Sequence, residues 1–250
     1  MTSTTRGVAR FGILVPFTNV NLEADMALLR PDGVSMHFAR LGGYDVDEVP
    51  DEKQMAGLGA SDLDEPLRLI GGVRPHIVLY GCTSATLTHG PGFDRKLAAD
   101  IETRLGVPTV TAAGALIHAM RTLGATNVGF SSPYVGAIND QAVDFFAQNG
   151  VRTVARADIG RALGNYGQGE LTPEQVFDLA VRADHPDAQA IVLSCTDMRS
   201  VEAIARIEAA IGKPVITSNQ AMLFQAMELL GLDMSRVRCG HLFQASRAAA

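Results

Sequence analysis

Short runs of β-branched and aliphatic residues alternate with longer stretches of helical periodicity along this chain. Each run has the length of a buried strand, and a helix-like stretch, such as 51–69 or 93–105, follows before the next run begins. This alternation predicts βαβ units, and therefore parallel sheets covered by helices. The predicted strands are GILVP (12–16), VSMHFARL (34–41), HIVLYG (76–81), PTVTA (108–112), NVGFSS (127–132), VRTVARA (151–157), AIVLS (190–194) and PVITS (214–218).

The last four predicted strands look like a copy of the first four. Three pairs of segments align in the same order: RFGILVPF with NVGFSSPY, HIVLYGCTSA with QAIVLSCTDM, and GVPTVTAAGALIHAMRTLGA with GKPVITSNQAMLFQAMELLG. Glycine and proline recur at matching joints, which indicates duplication rather than the general likeness of all βαβ units. We therefore predict an α/β fold of two similar halves, residues 1–124 and 125–250. Each is an open, mostly parallel four-stranded sheet flanked by helices, the two are related by a pseudo-two-fold axis, and the C-terminal helix is free to pack back on the first half.

Two of the three cysteines occupy matching positions in these halves. Cys82 follows the strand HIVLYG, and Cys195 follows the strand AIVLS. Ligand sites of open parallel sheets lie beyond the carboxyl ends of the strands, so both thiols are predicted to face one cleft between the halves. A helix N-terminus at each strand end would favour the thiolate, and the hydroxyl and backbone donors that follow each cysteine suit a substrate carboxylate. Cys239 has no counterpart and is interpreted as a core residue.

Composition and charge narrow the classes of function. A chain of 250 residues with 47% hydrophobic and 19% charged residues is typical of an ordered globular protein. The net charge of −6 offers no field for nucleic acid. The polar N-terminus and the short apolar run after it predict a cytoplasmic protein that does not bind a membrane. The three widely spaced cysteines are expected to be free thiols, and the histidine spacing and the glycine pattern predict neither a metal nor a nucleotide cofactor.

The motifs YGCTSAT and LSCTDM, the opening GILVPFTNVNLE and the segment SSPY resemble the aspartate/glutamate racemase superfamily. Within it, they are similar to the branch of maleate cis-trans isomerases and arylmalonate decarboxylases, over residues 11–243. Glutamate and aspartate racemases usually carry Asn after the first cysteine and His shortly after the second, whereas this chain has Thr83 and Thr196-Asp197. Arylmalonate decarboxylases have Gly where Cys82 stands. The resemblance therefore favours the maleate isomerases, which keep both cysteines.

The same resemblance implies roles for polar loop residues. Asn19 matches the Asn that holds one substrate carboxylate, although Phe17-Thr18 replaces the Ser pair of the family. Tyr134 and Asn165 match a Tyr and an Asn of the carboxylate pocket, while without the resemblance both Asn residues would be turn residues. The predicted substrate-binding residues are Asn19, Thr83, Ser84, Tyr134, Asn165 and Thr196.

The function that these residues predict is cofactor-independent cis-trans isomerisation of a small dicarboxylate, with Cys82 as the nucleophile and Cys195 as the proton donor. A two-cysteine racemase or a decarboxylase of a small carboxylic acid is the enzymatic alternative. A ligand-binding or sensor protein on the same duplicated scaffold is the alternative from another class. The family habit of dimerising leads us to expect a homo-oligomer.

Overall fold

The computed structural model describes residues 7–42 and 50–248. Its strands are β1 (Ala9–Pro16), β2 (Val34–Leu41), β3 (Ile77–Tyr80), β4 (Thr109–Thr111), β5 (Asn127–Ser131), β6 (Arg152–Ala157), β7 (Ala190–Leu193) and β8 (Val215–Thr217). Its helices are α1 (Asn21–Leu29), α2 (Glu52–Gly59), α3 (Asp64–Gly71), α4 (Thr83–Leu87), α5 (Gly90–Leu105), α6 (Ala112–Thr122), α7 (Gly136–Gln148), α8 (Pro173–Arg182), α9 (Ile204–Ile211), α10 (Ser218–Leu229) and α11 (Gly240–Ala248). Each predicted strand overlaps one of these eight.

The strands form two parallel sheets of four with the same internal order. The first sheet is ordered β2-β1-β3-β4 and the second β6-β5-β7-β8. The inner strands β3 and β7 are buried along their whole length because helices cover both faces, which explains their continuous apolar sequences. The outer strands β2 and β6 are only half-buried. The prediction of two similar α/β halves with four parallel strands each is therefore confirmed, whereas the boundary at 124/125 stays a prediction.

Gly12 and Gly129, which match in the repeat, show why glycine recurs at the same joint. Each lies on the strand at the second position of its sheet. A Cβ atom at Gly12 would come within 2.8 Å of the Ile70 side chain, and one at Gly129 would overlap the backbone carbonyl of Ala183. In both halves a helix end therefore packs directly on the strand backbone, and any side chain would push it away.

The predicted helix over 51–69 is wrong in one respect, because the structure has two helices there. The backbone N–H and the hydroxyl of Ser61 both donate to the carbonyl oxygen of Leu58, at 3.2 and 2.7 Å, and this turn ends α2. The carboxylate of Asp62 then accepts from the N–H of Asp64 at 2.8 Å and starts α3. Local side-chain bonds of this kind compete with the helix, and the apolar periodicity alone does not reveal them.

The two halves meet along α6 and α10, which are equivalent helices of the repeat. The helices pack against each other within the chain, and the Nε2 atom of His118 lies 2.6 Å from a carboxylate oxygen of Glu228. Thr111 and Thr217 cap the two helices in the same way, each through its hydroxyl oxygen. The apolar surfaces of these helices are therefore covered inside the molecule.

Within the described residues, no helix has the length and apolar composition that a membrane span requires.

Helix α2 packs closely on α4, which begins beside Cys82. A glycine of α2 lies at the contact. A Cβ atom at Gly59 would overlap the backbone oxygen of Ala85, while one at Gly57 of the same helix would meet nothing within 4 Å. We expect Gly59→Ala to lower the free energy of unfolding by about 1–3 kcal/mol through overpacking. The control Gly57→Ala should raise it by up to about 1 kcal/mol, because alanine favours the helix. Urea unfolding measures both, and equal effects would contradict the close packing of α2 on α4.

Candidate active site

Cys82 is the N-cap residue of α4 and is separated by one residue from the end of β3, as predicted from its position in the sequence. Its thiol is buried, with Sγ 3.7 Å from the hydroxyl of Ser84. Burial raises the pKa of the Cys82 thiol above its usual value. Hydrogen bonds from the backbone N–H groups of Ala85 and Ser84 and from the Ser84 hydroxyl oppose that rise. The helix N-terminus therefore favours the thiolate as expected, but in the free protein it does not outweigh burial.

Cys195 lies after β7 in different surroundings. No helix starts at this cysteine, because residues 196–200 form an irregular turn before the 3-10 turn Val201–Ala203, so the predicted helix N-terminus is wrong here. The N–H of Asp197 instead donates to Sγ at 3.3 Å, and Sγ lies 3.8 Å from Oε1 of Gln168. Burial, and next the Asp197 carboxylate, raise the pKa of the Cys195 thiol to about 12, against the hydrogen bond from Tyr134. Cys195 is therefore held as a thiol.

Both cysteines line one cavity between the two halves. The cavity is small, with about 30 Å³ open to the centre of a water-sized sphere, which is room for about two water molecules. Of the described residues that line it, none is Lys, Arg or His, so N–H and O–H groups are the donors available to an anion. The lining residues are Pro16, Thr18, Asn19, Met55, Leu58, Cys82, Ser84, Tyr134, Asn165, Gln168, Cys195, Thr196 and Asp197. Asn19, Ser84, Tyr134, Asn165 and Thr196 are thus brought together as the sequence suggested, and their substrate-binding role stays a prediction.

The structure does not bring Thr83 to the cavity. Its hydroxyl is fully buried and donates to the hydroxyl of Ser218, in the other half, at 2.9 Å. Thr196 lines the cavity, but its hydroxyl donates to the carbonyl oxygen of Gly81 at 2.8 Å and accepts from Nδ2 of Asn19 at 3.0 Å. Each threonine that follows a cysteine therefore reaches across to the opposite half. In each half, the Cys-Thr pair therefore places a thiol in the cavity wall and, beside it, a hydrogen bond that joins the two halves.

Asn19 and Tyr134 approach the cysteines from the two halves. The side-chain oxygen of Asn19 accepts from the N–H of Leu22 at 2.9 Å, so the residue also stabilises the start of α1. The Tyr134 hydroxyl forms hydrogen bonds with both Cys195 and Ser84, and burial raises its pKa well above the usual value. Tyr134 is therefore a neutral phenol that can donate a proton in a hydrogen bond, at a position between the two thiols.

Asp197 and Gln168 are cavity residues that the sequence reasoning did not select. The Asp197 carboxylate accepts from the backbone N–H groups of Val20 and Asn21, at 2.9 and 3.0 Å, and so binds the start of α1 in the other half. Burial raises its pKa to about 6, although these hydrogen bonds oppose the rise. The signal for Asp197 was its place directly after the second Cys-Thr pair, whereas Gln168 lies in a glycine-rich loop whose course the sequence does not define.

A buried carboxylate, Asp25, stands behind the cavity. Nδ2 of Asn219, in the second half, donates to this carboxylate at 2.7 Å and to the carbonyl oxygen of Thr196 at 2.9 Å. Burial raises the pKa of Asp25 from 3.8 to about 7, against the hydrogen bond from Asn219. The polar seam between the halves thus contains a carboxyl group that titrates near neutral pH.

Comparison with known proteins identifies the relatives of this site. The family model described as arylmalonate decarboxylase matches residues 12–243. The maleate isomerase of Alcaligenes faecalis is 25% identical over 93% of this chain and 95% of its own length, and the arylmalonate decarboxylase of Bordetella bronchiseptica is 27% identical over 94% and 96%. A solved maleate cis-trans isomerase mutant from Nocardia farcinica, with a covalently bound succinylcysteine intermediate, has a TM-score of 0.87 at 24% identity, covering 95% of this chain and 98% of that one. The resemblance to this branch and the prediction of an enzyme related to isomerases are confirmed.

We expect the Thr196 hydroxyl to stabilise the folded protein through its two hydrogen bonds. Thr196→Val keeps the volume but leaves the Gly81 carbonyl and the Asn19 amide without this partner, so the free energy of unfolding should fall by about 1–3 kcal/mol. Thr196→Ser keeps the hydroxyl and should cost less. Urea unfolding compares the two variants, and a valine variant as stable as the serine variant would contradict the role of this bond.

We expect Asp25 to make the free energy of unfolding fall as the pH rises from about 4 to 7. Its pKa of about 7 in the folded protein exceeds the usual 3.8, so the folded state binds the proton more tightly. The stabilisation is complete below about pH 4 and is lost as the pH rises through 7. Relative to Asp25→Asn, the wild type should therefore lose up to about 1.4 kcal/mol per pH unit across that range.

Unfolding by urea at several pH values measures this difference. Asp178→Asn, which removes an exposed carboxylate on α8, is the matched control and should run parallel to the wild type. If the Asp25→Asn curve is also parallel to the wild type, Asp25 does not titrate in this range.

Proposed function

Because the chain belongs to the arylmalonate decarboxylase family, we propose that it catalyses cis-trans isomerisation of a small unsaturated dicarboxylate, such as maleate to fumarate, without a cofactor. The observation that carries this proposal is the pair of buried thiols, Cys82 and Cys195, one from each half, in the wall of one small cavity. Two thiols permit addition of a nucleophile and a proton to the same double bond. The named maleate isomerases among the relatives support this choice of reaction.

The reaction begins with addition across the double bond. The Cys82 thiolate forms a C–S bond with one olefinic carbon, and the electron pair of the π bond takes the proton of the Cys195 thiol at the other carbon. The product is a saturated thioether in which the central C–C bond rotates. After rotation, the Cys195 thiolate removes the proton, the C–S bond breaks, and the trans isomer leaves as the Cys82 thiolate is restored.

Neutral donors bind the two carboxylates in this proposal. Asn19 and Asn165 contribute amide groups, Tyr134 contributes its phenol, and Ser84 contributes its hydroxyl at the start of α4. During addition, negative charge spreads onto the carboxylate next to the carbon that becomes a carbanion. Fixed donors stabilise this charge without having to reorient, which is how such sites accelerate reactions.

The asymmetry of the two thiols supports the assignment of roles. Cys82 lies at a helix N-terminus with a hydroxyl beside it, and these donors favour the thiolate. Cys195 also accepts hydrogen bonds from Tyr134 and backbone N–H groups, but a carboxylate and an amide oxygen lie beside it, and both favour the protonated thiol. We therefore assign nucleophilic attack to Cys82 and proton donation to Cys195.

Maleate turnover tests the proposal directly. The enzyme is incubated with maleate in deuterated buffer, and the olefinic signals are followed by NMR. Fumarate should form with the wild type, while Cys82→Ala and Cys195→Ala should each lower the rate by at least about 100-fold, since each removes a reacting group. Cys239→Ala, which removes a buried thiol outside the cavity, is the matched control and should keep the wild-type rate.

The same experiment separates the alternatives. If micromolar wild-type enzyme forms no fumarate, maleate is not the substrate. Deuterium at the α-carbon of an amino or hydroxy acid, dependent on both cysteines, would indicate a racemase. Carbon dioxide release from a substituted malonate that persists in Cys82→Ala would indicate a decarboxylase, because the decarboxylases of this family have Gly where Cys82 stands.

A further inference from the structure

The two cysteine loops differ most at the second residue after each thiol. In the aligned repeat, Ser84 follows Cys82-Thr83 and Asp197 follows Cys195-Thr196. The threonines do the same work in both halves, since each bonds to the opposite half. At the next position, one half has a hydroxyl and the other has a carboxylate.

We infer that Asp197 is a positioning residue that decides which thiol ionises: its carboxylate keeps the proton on Cys195, so that the first proton lost from the pair leaves Cys82. The two thiols share one cavity, so ionisation of one opposes ionisation of the other, and the pair loses its protons in steps. A fixed charge on one side is then enough to direct the first step. The catalytic use of this bias rests on the proposed function, whereas the bias itself does not.

The geometry fixes the Asp197 carboxylate beside Cys195. Its own N–H donates to the cysteine sulfur at 3.3 Å, so the side chain cannot move far from the thiol. One carboxylate oxygen accepts from the N–H of Val20 and from both the N–H and Nδ2 of Asn21, at 2.9, 3.0 and 3.3 Å. A Cβ atom at Gly169 would come within 2.9 Å of the other oxygen, so the loop closes on Asp197 only because this residue is glycine.

The other charges near Asp197 do not cancel its effect on Cys195. Arg40 lies on the far side, where its guanidinium donates to Glu23 and to backbone oxygens, including that of Asn19 at 2.5 Å. Burial raises the pKa of Asp197 to about 6, and hydrogen bonds and the Arg40 charge oppose that rise, so the carboxylate is charged at and above neutral pH. Asp25 has its pKa raised mainly by burial, and the Asp197 carboxylate adds to that rise by charge repulsion. The carboxylate of Asp197 is therefore the charge that acts on the Cys195 thiol.

Gln168 adds a second acceptor on the same side. The Cys195 thiol donates to the Gln168 side-chain oxygen, with the two atoms 3.8 Å apart, and this contact favours the protonated thiol. Backbone N–H groups donate to both sulfurs, from Ser84 and Ala85 at Cys82 and from Asp197 and Met198 at Cys195. The Asp197 carboxylate and the Gln168 oxygen lie at Cys195, and both favour its protonated form.

Alkylation without substrate tests the inference. Wild-type protein at pH 8, where Asp197 is charged, is treated briefly with iodoacetamide, and the modified cysteines are quantified by peptide mass spectrometry. Cys82 should be labelled in preference to Cys195. In Asp197→Asn, whose amide oxygen still accepts from α1, the ratio of Cys82 to Cys195 labelling should fall by about tenfold, since removing the charge lowers the pKa of Cys195.

Two further measurements keep this test decisive. Asp197→Ser gives both halves the sequence Cys-Thr-Ser and should bring the ratio towards one, which provides a second variant if the asparagine does not fold. Labelling of Cys239 reports any general loosening and should stay at the wild-type level in both variants. A ratio that is unchanged in the variants, or wild-type protein labelled first at Cys195, would overturn the inference. Neither outcome depends on maleate turnover, so failure of the proposed reaction is recognised separately.

Discussion

The hydrogen bond from the Thr196 hydroxyl to the carbonyl oxygen of Gly81 joins the two cysteine loops. Gly81 directly precedes Cys82 and Thr196 directly follows Cys195, so this bond of 2.8 Å holds the two thiol-bearing loops next to each other. Gly81 has no room for a side chain, because a Cβ atom there would meet the Leu22 side chain and the backbone oxygen of Leu14. Two separate sheets thereby act as one active site. The proposed chemistry depends on that distance, since addition to a double bond needs both sulfurs at adjacent carbons.

Burial of the cavity makes a thiolate more reactive but also makes it harder to form. Removing the cavity from water raises the pKa of both thiols, and it raises the pKa of Tyr134 as well. A thiolate is therefore scarce in the free protein, although it would be a stronger nucleophile there than in water. Hydrogen bonds reduce this cost at both sulfurs, from the N–H groups at the start of α4 for Cys82 and from Tyr134 and backbone N–H groups for Cys195. The two sulfurs differ in that the Asp197 carboxylate also raises the pKa of Cys195.

The sequence predicted the scaffold better than it predicted the hydrogen bonds. Strands such as β3 and β7 are buried on both faces, which leaves a continuous apolar run that is easy to read. The cysteines were found because the repeat placed them at equivalent strand ends. The break between α2 and α3 and the irregular turn after Cys195 depend on particular side-chain bonds, and periodicity carries no record of them.

The two threonines show which property of a residue the sequence does not reveal. A hydroxyl beside a catalytic thiol suits a substrate carboxylate, and from sequence that role was the natural one for Thr83 and Thr196. Only the packing of one half on the other reveals that Ser218 and Gly81 already take these hydroxyls. A residue's chemistry is local and can be read from the chain, whereas its partner across an interface is decided by the fold.

Duplication of a half explains why the thiols match, and it also creates a difficulty. Two identical thiols in one cavity would ionise equally well, and a reaction that needs one nucleophile and one acid would lose half of its correctly ionised population. The repeat is kept where it holds the halves together, at the threonines, and is broken at the next residue, where Ser84 and Asp197 differ in charge. The loop that carries Gln168 contributes an acceptor to one thiol only. Matching residues of the two halves therefore build the cavity, and the residues around Cys195 that depart from the repeat give its two sulfurs different surroundings.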